Sequence, residues 1–174
     1  AGAGIRPPPP GRLRTANQGA TPFSVIDVAT DAVYATVPTG NSPHHVLGTP
    51  DGKEFWVTLY KANHLQVFDS ATLKEIGQVE LGGPSDDLTF APDGKRLYVS
   101  NRGSHRIRGR RHGPGSVAVI DFASRKVVAI WPVPGGGSPD MGNVSADGSQ
   151  LWLSGRFDNV VYVFDTATGA VTSI

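Results

Sequence analysis

Ala91-Pro92-Asp93-Gly94-Lys95, followed by Leu97-Tyr98-Val99-Ser100-Asn101 and later by Val119-Ile120-Asp121, is the stretch that decides the fold. A Pro-Asp-Gly turn ahead of a β-branched and aromatic run marks a tight turn feeding a strand. The arrangement recurs. Thr49-Pro50-Asp51-Gly52-Lys53 precedes Phe55-Trp56-Val57-Thr58, and Ser145-Ala146-Asp147-Gly148-Ser149 precedes Leu151-Trp152-Leu153-Ser154. A second marker follows each run, as Val67-Phe68-Asp69, Val119-Ile120-Asp121 and Val163-Phe164-Asp165, with an earlier copy at Val25-Ile26-Asp27. Beyond the aspartate stands Ala29-Thr30, Ala71-Thr72, Ala123-Ser124 or Ala167-Thr168.

The four aspartates are spaced by 42, 52 and 44 residues. The long middle interval holds an insertion at 103–115, and the last holds two extra residues around Gly135-Gly136-Gly137. A weaker copy opens the chain. Gly11-Arg12-Leu13-Arg14-Thr15-Ala16-Asn17 takes the place of the aromatic strand, Pro8-Pro9-Pro10-Gly11 that of the turn, and Ile5 falls in an innermost strand. Each copy contains four strand-like stretches; in the second they are 45–49, 55–59, 65–68 and 76–81. A repeat of roughly 40–45 residues with four strands is the signature of a propeller blade. The expected fold is all-β: four β-propeller blades of four antiparallel strands each, at about 1–41, 42–83, 84–137 and 138–174. Trp56, Val67, Leu97, Val99, Val119, Trp152 and Val163 are expected between blades.

Pro-Asp-Gly-Lys, then Tyr98-Val99-Ser100-Asn101, then Val119-Ile120-Asp121 with Ala123-Ser124 resembles the YVTN-repeat family of β-propellers. The resemblance covers nearly the whole chain. It implies a ring of about seven blades, so that four are either part of a longer protein, half of a paired ring, or a closed four-bladed ring. It implies an extracytoplasmic location: periplasmic, cell-surface or secreted. Related propellers include lactonase-like enzymes and haem-binding nitrite-reductase domains, so the fold alone does not assign an activity.

Composition narrows the classes. The 174 residues carry a net charge of +1, which gives no global attraction to nucleic acid or membranes. There is no cysteine, so disulfides, thiolate metal sites and cysteine catalysis are excluded. No window reaches the ~18 apolar residues of a membrane span. No nucleophile elbow, phosphate loop or dinucleotide fingerprint is present, and no cofactor is expected.

Strand alternation sorts the loops onto two faces. The start of each innermost strand lies on the same face as the loop between the second and third strands. That face gathers His44 and His45, Asp86 and Asp87, and Asp140 from blade openings, with Arg102 and Arg156 from loop tips. Imidazole and carboxylates at the channel mouth suit a polar ligand or a divalent metal, although no spaced metal-ligand set appears. His44 and His45 are adjacent, and simple alternation sends only one of them inward. The insertion adds Arg106, Arg108, Arg110 and Arg111 among glycines, with no acidic residue between 101 and 118. It reads as an anion-binding loop. The recurring aspartates and Asp-Gly turns read as structural. The expected function is a non-enzymatic binding or scaffold module whose partner is a protein or the remaining blades. The alternative is a fragment of a propeller enzyme or cofactor-bearing domain, a lactonase-like hydrolase or a haem or metal oxidoreductase.

Overall fold

The computed structural model describes residues 11–102 and 114–174. The strand expected around Ile5 and most of the arginine insertion lie outside the described residues. Blade I contains β1 (Arg12–Ala16), β2 (Pro22–Asp27) and β3 (Ala32–Pro38). Blade II contains β4 (Pro43–Gly48), β5 (Glu54–Leu59), β6 (His64–Asp69) and β7 (Glu75–Glu80). Blade III contains β8 (Ser85–Phe90), β9 (Arg96–Asn101), β10 (Ser116–Asp121) and β11 (Lys126–Pro132). Blade IV contains β12 (Pro139–Val144), β13 (Gln150–Gly155), β14 (Val160–Asp165) and β15 (Val171–Ser173). Each blade is one antiparallel meander in chain order. A 3-10 turn, Pro134–Gly136, sits in the linker before β12. This is an all-β propeller architecture.

The turns explain the recurring aspartates. Asp69 Oδ1 accepts the N–H of Ala71 and of Thr72 and the Thr72 hydroxyl, and Asp165 repeats this with Ala167 and Thr168. Asp27 does the same for Ala29 and Thr30, and Asp121 for Ser124. These bonds stabilise the ionised carboxylate, so hydrogen bonding lowers the pKa of Asp69, Asp121 and Asp165. In the Asp-Gly turns, Asp51, Asp93 and Asp147 accept the N–H two residues on, and Gly52, Gly94 and Gly148 supply positive φ. Asp147, which also accepts the Ser145 and Ser149 hydroxyls, is held down at about 2.

Register sets which side chains enter each interblade core. Glu54, Arg96 and Gln150 face Asp69, Asp121 and Asp165 across their ladders, so they are equivalent positions. The next residue along, Phe55, Leu97 or Leu151, packs toward the preceding blade. The one after, Trp56, Tyr98 or Trp152, points to the following blade. Trp56 is fully buried, with Phe122 of blade III 5.9 Å away ring to ring. Tyr98 packs on Trp131 at 5.6 Å within the core shared with blade IV.

Trp152 departs from expectation. It is 40% exposed and does not belong to a core cluster. Its phase is that of Trp56, down to the indole N–H donating to residue 150 as Trp56 donates to residue 54. The difference is the neighbour: among the described residues, no sheet covers that side of blade IV. Leu13, the blade I counterpart of Phe55, is 55% exposed at the opposite end for the same reason. Trp56, Val67, Leu97, Val99, Val119 and Val163 are buried.

Candidate functional site

Each innermost strand of blades II to IV begins with a β-bulge. Pro43 faces Leu59 and Val46 faces Val57, so three steps on one strand oppose two on the other. The same shift follows Ser85 and Pro139. A bulge breaks strict alternation and re-aims two consecutive side chains. Hydroxyls on the second strand hold it: Thr58 Oγ1 accepts the His45 N–H at 2.8 Å, and Ser100 Oγ accepts the Asp87 N–H at 3.0 Å. Ser154 instead donates to the Met141 carbonyl at 3.1 Å. In blade IV, Gly142 lets the backbones close, since a Cβ there would lie 1.8 Å from the Trp152 carbonyl oxygen.

The first bulge residues are His44, Asp86 and Asp140, and the second are His45, Asp87 and Met141. Just past the second strand come Tyr60, Arg102 and Arg156. Their N–H groups donate to Ser42, Pro84 and Ser138 carbonyls at 2.9, 3.2 and 3.0 Å. One rim thus alternates blade openings with loop starts.

A charged chain runs along that rim. Arg102, 4% exposed, is ion-paired with Asp86 of its own blade and lies 2.8 Å from Asp140 of the next. Arg156 Nη1 meets the second Asp140 oxygen at 3.0 Å. His44 Nδ1 is 3.0 Å from the Asp86 carbonyl oxygen and 3.6 Å from its carboxylate. The Arg102 guanidinium lies 5.2 Å from the Tyr60 ring centroid. Asp86 is fully buried. Burial, with the neighbouring Asp140 carboxylate, pushes its pKa up to about 8 despite Arg102. Burial also opposes ionisation of Asp140, but hydrogen bonds from Asp86 and Arg102 and the charges of Arg102 and Arg156 outweigh it and lower its pKa. The shared environment thus pushes the two carboxyls in opposite directions, Asp86 up and Asp140 down. Burial lowers the His44 pKa, so its imidazole is neutral there.

His45 and Asp87 form a second pair. His45 Nδ1 contacts Asp87 Oδ1, and the other Asp87 oxygen accepts the Gly142 N–H at 3.3 Å. Both histidines thus contact the next blade's opening, and the bulge corrects the expectation that alternation would turn one away. The pair lines an open cleft of about 750 Å³ on the channel side, with Thr89, Met141, Asn143 and Trp152. Among the described residues, no group of three or more His, Asp or Glu is placed to hold a metal ion.

All seven channel-mouth residues expected from sequence, His44, His45, Asp86, Asp87, Arg102, Asp140 and Arg156, therefore fall on one rim. Arg106, Arg108, Arg110 and Arg111 lie outside the described residues. Tyr60, Thr58 and Ser100 were not expected there. Their signal was the repeat itself, since Tyr60 holds the position of Arg102 and Arg156, and Thr58 that of Ser100.

The sheets, their order and their bulged innermost strands define a partial β-propeller. Residues 7–133 match the choice-of-anchor I domain. The chain belongs to that family. It is 30% identical over 131 residues to Antigen Lp49 of Leptospira interrogans, covering 73% of this chain and 28% of that protein. It is 30% identical over 124 residues to the seven-bladed β-propeller protein Rv1057 of Mycobacterium tuberculosis, covering 70% of this chain and 30% of that one. The chain spans under a third of the length of either curated relative. A solved structure, Kuenenia stuttgartiensis hydrazine synthase, superposes with a TM-score of 0.79 at 24% identity, over 94% of this chain and 46% of that one. At that identity the likeness speaks for the fold alone. No helix among the described residues is long and apolar enough to cross a membrane.

Proposed function

We propose that this chain supplies four blades of a non-enzymatic binding or scaffold propeller of YVTN-repeat type, and that its partner docks on the rim carrying the blade openings and the arginine loop. The observation that carries the reading is the asymmetry of the two faces. One face is built from near-identical Asx and Asp-Gly turns, whose polar groups are satisfied locally. The other bears the chain of polar and ionic contacts from His44 to Arg156, the His45–Asp87 pair and the glycine-rich linker at 134–136 that departs from the repeat. Function in repeat folds is grafted on loops that vary. The choice-of-anchor family favours placement at the cell surface or outside it.

The arginine loop is the proposed anion contact. Heparin serves as the probe. The chain is expected to elute from immobilised heparin later, and with a steeper salt dependence, than a variant with Arg106, Arg108, Arg110 and Arg111 changed to serine, because each contact neutralises a screened charge. Equal elution and equal salt slope would remove the loop from the binding face.

A further inference from the structure

One bridge along the rim shows how a blade can be tied to the next. Arg102 stands at the start of the loop after the second strand of blade III. It joins the first bulge residue of its own blade, Asp86, to that of the following blade, Asp140. Arg156 occupies the same position in blade IV and pairs with Asp140, the first bulge residue of its own blade. Among the described residues no following blade supplies its second carboxylate, and its side chain is 46% exposed where Arg102 is 4%. Beside it, Trp152 is 40% exposed, whereas Trp56 and Tyr98, the same position in blades II and III, are buried beneath the following blade. The uncovered face of blade IV thus continues the kind of interface under which Trp56 and Tyr98 are buried.

We infer that this face receives a further propeller blade carrying an aspartate or glutamate at the first bulge position of its innermost strand, which completes the Arg156 bridge. The inference rests on the partial-propeller reading above and adds the chemistry of the partner. Blade III, which covers Trp56 and opens with Asp86, shows the form that the occupant takes.

Blade III is also the probe. Ile174 exchanges backbone hydrogen bonds with Val161, the position at which Val79 faces Leu65 in blade II. Residues 80–137 appended after Ile174 therefore continue the chain in phase. In this fusion, iodide quenching of the Trp152 emission, taken as the difference from a Trp152→Phe version, is expected to fall several-fold relative to the original chain. Changing the appended copy of Asp86 to arginine should restore the quenching and lower the melting temperature. Combining that change with Arg156→Glu should recover both, which separates a lost bridge from a misfolded blade. Protection of Trp152 that is indifferent to the charge at the appended position would overturn the acidic-partner inference and leave the propeller reading intact. Absence of protection in every fusion would overturn both.

Discussion

At the scale of single residues, burial and pairing push the two rim carboxyls, Asp86 and Asp140, in opposite directions. Asp86 has no exposed surface, and its folded pKa lies near 8 against an ordinary value of 3.8. An acid whose pKa rises on folding binds its proton more tightly in the folded state, so its contribution is complete below about pH 4 and lost as pH climbs through about 8. Asp140 works oppositely: its pKa is lowered, so its contribution is present above the ordinary carboxylate range and lost on acidification. Asp86→Asn keeps the shape and removes the titration. The parent is expected to decline in stability between about pH 5 and pH 8, and the variant to lose that decline, as read by urea denaturation at several pH values. An unchanged pH profile would place the proton elsewhere. A neighbouring hydroxyl makes a second case. Ser100 is 3% exposed and its Oγ accepts the buried Asp87 N–H. Ser100→Ala strands that donor and should cost about 1–3 kcal/mol, whereas Ser100→Thr, the residue blade II uses at this position, should be tolerated. Equal losses in the two variants would point to packing as the cause.

At the scale of the strand and blade, one residue type does different work depending on its neighbour. Trp56 and Trp152 share a register position, a side-chain direction and an indole hydrogen bond two residues back. Only Trp56 has a blade over it. Trp56→Ala should cost about 3–5 kcal/mol, and Trp152→Ala in this chain less than about half of that. Comparable losses in chemical denaturation would mean that Trp152 is covered. This pair also marks how far sequence could be read. The strand phase was legible, because Phe55-Trp56-Val57 and Leu151-Trp152-Leu153 follow the same turn and alternate identically. The exposure of Trp152 was not, since burial depends on a sheet that periodicity does not encode. The adjacent histidines teach the same lesson. Alternation predicts opposite faces for His44 and His45, and the bulge at each blade opening overrides it. The hydroxyl that fixes that bulge stands in plain sight as the third residue of Tyr98-Val99-Ser100-Asn101, but its partner, the Asp87 amide, is settled only by register. Strand direction alone gathered His44, His45, Asp86, Asp87, Arg102, Asp140 and Arg156 on one rim, whereas the place of Tyr60 and the pairing order His44, Asp86, Arg102, Asp140, Arg156 required the geometry.

At the scale of the whole molecule, the described residues form an open arc. Three interblade cores are closed, each shared by two consecutive blades. Both ends leave large apolar side chains in water, Leu13 at 55% and Trp152 at 40%. An array of this kind gains its stability from neighbour contacts, so its end units are weaker than its middle ones. The measurement that tests this most directly is iodide quenching of tryptophan emission in the chain itself, compared with its Trp56→Phe and Trp152→Phe variants. The account predicts an iodide-accessible component that disappears with Trp152→Phe and persists with Trp56→Phe. Full protection of Trp152 in a compact monomer would mean that the four blades close on themselves, and would contradict the open arc.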